Sequence, residues 1–489
     1  MKKEILINST PEETRIALLE DGKLAEFFID RVGSDVKKLK RIAGNVYLGR
    51  VENVLPGIQS AFVNIGLKKN AYLPLDETLP TPGKHTIEER LKKEQNVLIQ
   101  VTKEPIGTKG AKVTQKISLA GRYLVYMPFG RKQFFLSRQI KDKRERHRLR
   151  DIAQSLPLVN GSLILRTEAQ GAEKKDLLTD FEYLSSLWLT IQSREKEKKV
   201  PSLLHEEVGL AYQVLRDLFS EKVELVLIDS EELYKDVLNY VENISPEFKS
   251  RVQYYSAKTP IFSVYKLEEE IKRIYQPKVN LPSRGYILIQ ETESLCAIDV
   301  NTGKFTGGSE TSLENTALQT NLEAAKEIAR QIRLRNIGGI IVIDFISLRK
   351  SVNRRKVYDT LVDALKEDKA KVEILPFNRL GLVELTRERK RESTLNLLTE
   401  ECSECSGSGR IISRESLYLK IKKELVNFKS SLTHGQLSLR LHPDLITYFQ
   451  NYKEELRKIS GEEVKLIPDF RLKRDNYQII LSASEEKMK

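Results

Sequence analysis

Cysteine is scarce in this chain of 489 residues, with three in all. So few thiols exclude a disulfide scaffold and leave one informative pair, Cys402 and Cys405. Long apolar runs are lacking too: GGIIVI is far too short to cross a bilayer, so no membrane segment is predicted. The opening MKKEILINST lacks the apolar stretch that a secretory signal needs, and we expect a cytoplasmic protein.

Positive charge, in contrast, is in excess. The chain has 82 lysines and arginines against 69 aspartates and glutamates, which gives a net charge of +13 and a pI near 9.3. This balance favours a polyanionic partner, although a soluble protein with many surface lysines has it as well. The length predicts about three domains or more, because a single core does not grow this large.

Three patterns divide the first 210 residues. Residues 1–38 alternate apolar and polar positions as in a β-meander, which makes a half-sheet without a cover. Residues 39–120 contain short strands, tight turns, aromatic residues and lysines, and predict a small five-stranded OB-type barrel. Residues 121–210 mix strands with highly charged helices such as KDKRERHRLRDIAQSL, whose charges are typical of solvated helix faces.

The remaining residues predict further α/β modules. We expect residues 211–280 to pack onto the incomplete first sheet, with the barrel and the charged module inserted between the two parts. Residues 281–398 form a larger α/β segment, and residues 399–411 contain the cysteine pair. Residues 412–489 predict a small α/β unit. The fold class is therefore α/β with several domains.

The predicted barrel carries features of a nucleic-acid surface. Phe62 and Tyr72 are candidate stacking platforms, and Lys103, Lys109 and Lys112 are candidate phosphate contacts. The alternative is that both rings belong to the core of the barrel.

Two aspartates close apolar runs in residues 281–398. YILIQETESLCAIDV predicts two strands joined by a polar turn, and GGIIVIDFISL predicts a third. The helix LENTALQTNLEAAKEIARQIRLRN lies between them in the chain, so Asp299 and Asp344 should converge at one edge of a sheet. We also expect Asp299 to lie in a buried strand, where a carboxylate requires a compensating partner.

A Mg2+ ion would compensate both carboxylates, since it accepts one or two of them and takes its remaining ligands from water and phosphate. Asn301 could orient a water molecule or a phosphate oxygen. The alternative for Asp299 is a capping or turn aspartate. A phosphate-loop interpretation of GKFTGG fails, because its spacing is not that of the Walker A motif.

Two further groups suggest binding sites. Arg166 and Thr167 end a predicted strand, where a guanidinium and a hydroxyl can hold a terminal phosphate. Taken alone this signal is weak, and it favours a surface salt bridge over a phosphate site. Cys402 and Cys405 in CSECSGSG have the spacing of a zinc knuckle. The chain has no second cysteine pair, so the missing ligands most simply come from another chain; a redox pair or two free thiols are the alternatives.

These motifs, in this order, resemble the ribonuclease E/G family of bacterial single-strand endoribonucleases. The resemblance runs almost from end to end, through the following stretches: GNVYLGRV, SAFVNIG, LAGRYLVYMP, LRT, AIDVNTGKFTG, NLEAAKEIARQIRLRNIGGIIVIDFI and CSECSGSG. It implies an RNase H-like subdomain (1–38 and 211–280) split by an S1-type OB domain (39–120) and a 5′-sensor region (121–210). A DNase I-like catalytic subdomain (281–398), a zinc link (399–411) and a small C-terminal domain (412–489) follow.

The resemblance also implies roles for individual residues. Asp299 and Asp344 would hold catalytic Mg2+ with the help of Asn301, and a 5′-monophosphate pocket would comprise Gly121, Val125, Arg166 and Thr167. RNA would stack on Phe62 and Tyr72, and zinc would be shared by the cysteine pairs of a homodimer. Whether such dimers pair into a tetramer is left open.

Three features depart from the family pattern. Glu168 stands where a small residue usually follows the Arg-Thr pair, and an acid there could weaken the sensing of a 5′ phosphate. Ser403 replaces the usual proline between the cysteines, which loosens the turn but keeps both ligands. The long disordered scaffold of some members is absent, so no degradosome assembly through such a tail is expected.

The sequence therefore predicts a Mg2+-dependent endoribonuclease that cleaves single-stranded, AU-rich RNA, prefers 5′-monophosphorylated ends, and acts in rRNA maturation and mRNA decay. A non-catalytic RNA chaperone or ribosome-assembly factor would use the same barrel and basic surface without needing the aspartates. A metal nuclease acting on DNA is the second alternative, although contacts to 2′-hydroxyls and splayed bases would favour RNA.

Overall fold

The computed structural model describes residues 2–31, 42–105, 110–244, 246–303, 310–366, 368–389, 391–428, 435–461 and 463–483. The chain is a mixed α/β protein with two compact units, Met1–Leu397 and Leu398–Lys489. Within the described residues, no helix has the length and apolar character needed to cross a membrane.

The first strands form one half of a sheet. Apolar residues alternate along them, and Ile5, Ile7, Ile16 and Leu18 are fully or almost fully buried on one face. The three strands are antiparallel neighbours in the order β1 (Lys3–Ser9), β2 (Glu13–Glu20) and β3 (Lys23–Arg31).

The next segment closes into a five-stranded barrel, as the sequence predicts. Its elements are β4 (Val46–Leu55), β5 (Ser60–Asn64), β6 (Ala71–Pro74), α1 (Ile87–Arg90), β7 (Asn96–Lys103) and β8 (Lys112–Thr114). Pairing of β4 with β7 closes the barrel, so these strands leave no free edge there. Small and branched side chains such as Ala61, Val63, Ile99 and Val113 fill its interior.

A four-stranded sheet with two helices follows the barrel. Its elements are β9 (Leu119–Ala120), β10 (Leu124–Met127), β11 (Gln133–Leu136), α2 (Lys143–Ser155), β12 (Ser162–Leu165) and α3 (Lys174–Glu197). The strand order is β11-β12-β10-β9, and α2 and α3 bury Leu149, Ala153, Leu177 and Phe181 in a core shared with the sheet. A further strand, β13 (Ser202–His205), pairs with β4.

The chain then returns to the first sheet. The elements of this segment are α4 (Leu210–Leu218), β14 (Val223–Ile228), α5 (Glu231–Ile244), β15 (Val252–Tyr254), α6 (Ile261–Val264) and α7 (Leu267–Ile274). Strand β14 runs parallel to β1 with Val226 opposite Ile5, and the completed order is β15-β14-β1-β2-β3. The barrel and the four-stranded sheet are therefore inserted, along the chain, within this first sheet.

The last part of the first unit is a six-stranded sheet in the order β16-β17-β18-β19-β21-β20. Its elements are β16 (Lys278–Asn280), β17 (Tyr286–Glu291), β18 (Leu295–Asn301), α8 (Glu310–Leu334), β19 (Gly339–Asp344), α9 (Ser351–Ala364), β20 (Val372–Ile374), β21 (Leu382–Arg387) and α10 (Thr394–Leu398). One apolar face of α8 packs on this sheet: Ala325, Ile328, Ala329 and Ile332 are buried there, with Leu318 and Leu322 at its margin.

The second unit is a small α/β fold. Its elements are α11 (Arg414–Phe428), β22 (Gly435–Leu441), α12 (Pro443–Gln450), α13 (Lys453–Ser460), β23 (Val464–Pro468) and β24 (Tyr477–Ala483). The strands lie in the order β23-β22-β24, and the helices contribute Leu417, Ile421, Phe449 and Leu456 to a core of their own.

Candidate active site

Two aspartates meet on neighbouring strands of the six-stranded sheet. Strands β18 and β19 are parallel, and Asp299 is the register partner of Asp344. Neighbouring strands lie about 4.8 Å apart, so the two carboxylates project side by side from one face of the sheet. Asn301 Nδ2 donates a hydrogen bond of 2.7 Å to Asp299 Oδ2 and holds that carboxylate in place.

The expectation that Asp299 is buried is wrong. Strand β18 buries Cys296, Ile298 and Val300 on one face, whereas Ala297 and Asp299 lie exposed on the other. The small Ala297 gives the sequence a continuous apolar run although only one face is covered. A cation is therefore favoured by the second carboxylate beside Asp299 rather than by desolvation, since two adjacent negative charges repel each other.

Cys296 belongs to the opposite face of this strand and is almost fully buried. Burial raises the pKa of its thiol to about 12. A neutral thiol that points into the core does not serve as a ligand on the aspartate face, so Cys296 is a core residue.

Helix α8 fixes the segment that follows Asp344. Asn321, which is fully buried, exchanges two hydrogen bonds with the backbone of Ile346: its Nδ2 donates to the carbonyl oxygen (2.8 Å), and its Oδ1 accepts from the amide (3.1 Å). Glu314 accepts from the backbone amides of Arg349 and Lys350. The sequence analysis missed both residues; the available signal was an asparagine at a buried position of an otherwise apolar helix face.

The carboxylate pair fits Mg2+ better than metals that need several protein ligands. Among the described residues, no group of three or more His, Cys, Asp or Glu side chains could hold a metal ion. Neither Asp299 nor Asp344 forms an ion pair with any residue that the structure describes. Mg2+ typically uses one or two carboxylates and completes its shell with water and phosphate oxygens. Residues 304–309, within and just after GKFTGG, lie outside the described residues.

The residues predicted for the phosphate pocket lie on the four-stranded sheet. Arg166 Nη1 donates to the Gly121 carbonyl oxygen at 2.7 Å, and the hydroxyls of Thr167 and Ser137 share a hydrogen bond of 2.9 Å. Val125 lies on the central strand β10, half-buried and opposite Ala120 and Ile164. The structure thus brings Gly121 and Arg166 into direct contact.

A buried acid shapes the turn at Gly121. The carboxylate of Asp180, on α3, accepts hydrogen bonds of 2.8–3.0 Å from the backbone amides of Arg122, Tyr123 and Leu124. A Cβ atom on Gly121 would lie 2.3 Å from Asp180 Oδ1, so only glycine fits. Sequence reasoning missed Asp180, although an acid within an apolar helix stripe was a detectable signal.

Carboxylates already surround the Arg166 guanidinium. Its Nη2 donates to Asp217 Oδ1 at 2.6 Å, and its Nε lies 3.6 Å from Glu168 Oε2. Burial acts to raise the pKa of Asp217, but the Arg166 and Arg216 guanidiniums outweigh it and lower that pKa. Glu168 also pairs with Lys369 at 2.7 Å. An incoming phosphate would therefore compete with two carboxylates for Arg166.

On the barrel, four candidate RNA-binding residues form a continuous belt. Register pairs join Phe62 to Tyr72, Tyr72 to Lys112, and Lys112 to Lys103 across β5, β6, β8 and β7. The two rings lie 5.9 Å apart, and both are half-buried on the outside of the barrel rather than in its core. Lys112 Nζ contacts Glu77 Oε1 at 3.1 Å, while Lys109 lies outside the described residues.

The cysteine pair occupies an exposed turn of the second unit. Backbone hydrogen bonds run from Ser406 N to the Cys402 carbonyl oxygen (2.8 Å) and from Ser408 N to that of Cys405 (3.0 Å). Amides of Cys405 and Glu404 donate to the Cys402 sulfur and lower its pKa, which favours the thiolate that zinc binds. Because the described residues offer no third ligand nearby, the pair fits half of a tetrahedral site.

Known proteins are similar in sequence to most of the chain. A model described as the Ribonuclease E/G family matches residues 118–390. The chain is 39% identical over 437 residues to ribonuclease G of Escherichia coli, which covers 87% of this chain and 88% of that protein. It is 36% identical to ribonuclease G of Haemophilus influenzae, with 98% and 99% covered. Ribonuclease E of the same organism is 34% identical over 99% of this chain and 51% of its own length. The chain therefore belongs to the ribonuclease E/G family.

Proposed function

We propose that the chain is a Mg2+-dependent endoribonuclease that cleaves single-stranded, AU-rich RNA. Membership of the ribonuclease E/G family and similarity to proteins named ribonuclease G and ribonuclease E support the endoribonuclease activity. The observation that carries the proposal is the register pairing of Asp299 with Asp344 on an exposed face, beside Asn301. An exposed pair of carboxylates on a rigid sheet gives a metal access to both solvent and substrate.

Each residue of the site has a distinct role in this proposal. Asp299 and Asp344 would hold Mg2+, and the Asn301 amide keeps the Asp299 carboxylate oriented through its 2.7 Å hydrogen bond. When bound, Mg2+ supplies Lewis-acid polarisation of the phosphodiester and offsets the negative charge of the transition state. Asn321 and Glu314 act as positioning residues, since their hydrogen bonds hold the backbone that follows β19.

The barrel would bind the single strand. Phe62 and Tyr72 provide rings on which bases stack, while Lys103, Lys112 and Lys109 would contact phosphates. Stacking of this kind tolerates many base sequences, because every base has a π face. The positions of the four described residues in one belt support a continuous binding path around the barrel.

The pocket at Gly121, Val125, Arg166 and Thr167 would receive a 5′-terminal monophosphate. A guanidinium and a hydroxyl suit a terminal phosphate, and contacts remote from the scissile bond can raise the rate by aligning the substrate. The preference for 5′-monophosphorylated ends is nevertheless opposed by Glu168 and Asp217, because both carboxylates lie against Arg166.

The proposal extends to biological role and assembly. rRNA precursors and mRNA are the proposed substrates, in rRNA maturation and mRNA decay. Cys402 and Cys405 of paired chains would share zinc and form a homodimer. The proposed subdomains are RNase H-like (1–38 and 211–280), S1-type OB (39–120), 5′-sensor (121–210), DNase I-like (281–398), zinc link (399–411) and small C-terminal (412–489).

Comparing an AU-rich RNA with DNA of the same sequence, in Mg2+ and in EDTA, tests the activity. We expect cleavage of the RNA alone, and only with Mg2+. Cleavage of the DNA at a similar rate would indicate a general metal nuclease. RNA binding without cleavage, over several single-stranded substrates, would reject the enzyme and favour a chaperone.

A further inference from the structure

More than half of the net charge of the chain lies in twenty consecutive residues. Residues 131–150, RKQFFLSRQIKDKRERHRLR, contain nine lysines and arginines but only two acids, a net charge of +7 out of +13. We call this stretch the basic segment. It contains strand β11 and the first part of helix α2.

Most cations of the basic segment are exposed and have no anionic partner. Arg146 donates to the carbonyl oxygens of Ser137 and Ile140, and Arg148 pairs with Glu145 at 2.6 Å. Within the described part of the chain, the other seven are exposed and form no ion pair: Arg131, Lys132, Arg138, Lys141, Lys143, Arg144 and Arg150.

Helix α2 arranges some of these cations in a stripe. Leu149 and Ala153 face the core, while the cations Lys143 and Arg150, with His147 between them, recur at helical spacing on the solvent side. The two acids do not neutralise this stripe. Asp142 caps the helix by accepting from the Arg144 amide, and Glu145 accepts from Arg148 and from the Gly171 amide. These roles hold both carboxylates at the start of the helix.

Other charged helices of the protein pair their charges instead. Arg355 meets Asp359 at 2.9 Å on α9, and Arg273 meets Glu270 at 3.1 Å on α7. Pairs at this spacing stabilise a solvated helix slightly, whereas like charges destabilise it by a similar amount. An unpaired stripe of cations is therefore unfavourable unless a polyanion offsets it.

The basic segment also contains an exposed ring and adjoins the phosphate pocket. Phe135 on the edge strand β11 is 46% exposed, while its neighbours Phe134 and Leu136 pack on the core. Ser137 joins the segment to the pocket, because its hydroxyl bonds to Thr167 at 2.9 Å and its carbonyl oxygen accepts from Arg146. Exposed rings among cations are typical of surfaces that bind single-stranded nucleic acid.

We propose that the basic segment is a second RNA-binding surface, which holds the phosphodiester backbone of a single strand without needing a terminal phosphate. Lys143, Arg144 and Arg150 contact phosphates, and Phe135 stacks on a base. The inference rests on the proposed RNA substrate and adds a contact that also serves RNA with a 5′-hydroxyl end. Unpaired cations next to a ring favour RNA over an acidic protein, which offers no base to stack.

A matched pair of triple variants tests this surface. Lys143→Gln, Arg144→Gln and Arg150→Gln remove three charges from it. The control, called the α3 variant, removes three exposed charges elsewhere: Lys174→Gln and Lys196→Gln on α3, and Lys199→Gln just after its end. Affinity for a single-stranded RNA of thirty nucleotides with a 5′-hydroxyl end is measured by fluorescence anisotropy in EDTA, over a range of salt concentrations. We expect the first variant to bind about tenfold more weakly, with a salt slope lower by about two. Phe135→Ala should weaken binding by about fivefold or more.

The control variant and a competitor decide the result. The α3 variant should bind nearly as wild type does, and polyglutamate should compete poorly with RNA. Equal losses of RNA affinity in both triple variants, or no loss in the first, would reject the proposed surface. Competition by polyglutamate as effective as that by RNA would reject it too. A wild-type chain that binds as expected but does not cleave in Mg2+ would reject the endoribonuclease and leave the surface standing. If wild type cleaves RNA and the first variant binds RNA as well as the α3 variant does, the proposed surface is rejected and the endoribonuclease proposal stands.

Discussion

At the residue scale, Arg166 is the side chain through which the proposed phosphate pocket would discriminate between 5′ ends. Its guanidinium already donates to Asp217 and lies close to Glu168, which in turn pairs with Lys369. A phosphate dianion that enters the pocket must approach these carboxylates, and the repulsion offsets part of its attraction to Arg166. The carboxylate of Glu168 should therefore weaken the proposed preference for 5′-monophosphorylated ends.

Replacing Glu168 should therefore sharpen the discrimination. We expect Glu168→Gln to raise the ratio of cleavage rates on 5′-monophosphorylated and 5′-hydroxyl RNA by about fivefold, since a carboxylate that Lys369 already partly neutralises opposes the phosphate by roughly 1 kcal/mol. Parallel time courses on the two RNAs give the ratio. Glu182→Gln, an exposed change on α3, should leave the ratio as it is. An unchanged ratio in Glu168→Gln would show that the acid does not oppose the phosphate.

Individual site residues were predictable where the signal is local. The strand, helix, strand pattern was enough to predict that Asp299 and Asp344 converge, and the cysteine spacing was visible directly. Asp217 was not, because its contact with Arg166 spans 51 residues along the chain, and the pair of Lys369 with Glu168 spans 201. The exposure of Asp299 was also not predicted. Ala297 is apolar but exposed, so the alternation of buried and exposed positions along β18 is not visible in the sequence.

At the element scale, helix α8 joins the candidate catalytic sheet to the first sheet. One face carries the apolar residues that cover β18 and β19, and periodicity alone predicted it. Its C-terminal half carries Arg333, which bonds to Glu20 at 2.8 Å and to Glu26 at 2.7 Å on β2 and β3. All three side chains are largely buried. This ion-pair cluster could not be predicted, because Arg333 is more than 300 residues from both glutamates along the chain.

Removal of Arg333 should destabilise the first unit in a pH-dependent way. Arg333→Met removes the ion pair of the buried Glu26 and leaves the buried Glu20 with Lys3 alone, and we expect the free energy of unfolding to fall by about 3 kcal/mol at pH 7. Burial acts to raise the pKa of Glu20, but Arg333 and Lys3 outweigh it, so the folded-state pKa is lowered. Its contribution to stability is therefore present above the ordinary value of 4.5 and is lost as the pH falls through the folded-state pKa.

Urea denaturation followed by far-UV circular dichroism, at pH 7 and near pH 4, measures this effect. The difference between wild type and Arg333→Met should shrink at the lower pH. Arg355→Met, which breaks an exposed pair on α9, should change the free energy of unfolding by less than about 1 kcal/mol at either pH. A loss in Arg333→Met that is equally small would mean that the cluster does not stabilise the fold.

At the scale of the whole molecule, the first sheet is built from two distant parts of the chain. Strands β1 to β3 alone form an incomplete sheet with no element packed on it. This incompleteness predicted that a later segment completes the sheet, as β14 and β15 do. The proposed assembly of two chains rests on a similar signal, because Cys402 and Cys405 would supply two sulfur ligands where a zinc ion requires four. The sequence was thus sufficient to predict the modules, whereas the contacts between modules could be identified only in the structure.

The zinc link predicts a dimer that depends on the metal. The double variant Cys402→Ser, Cys405→Ser should be monomeric and free of zinc, and a strong chelator should convert wild type to monomers. Light scattering coupled to size exclusion gives the mass, and elemental analysis gives the zinc content. Glu400→Gln, an exposed change just before the turn, should remain dimeric. A double variant that stays dimeric would refute the shared site.

Cleavage by Asp344→Asn tests the central claim most directly. The substrate is a short 5′-monophosphorylated, AU-rich RNA in Mg2+, with RNA binding recorded alongside, and Glu373→Gln on the same sheet is the control. We predict that Asp344→Asn cleaves at least about a hundredfold more slowly while it binds RNA as wild type does, and that Glu373→Gln cleaves normally. Cleavage by Asp344→Asn at the wild-type rate would contradict the assignment of Asp299 and Asp344 as the catalytic metal site.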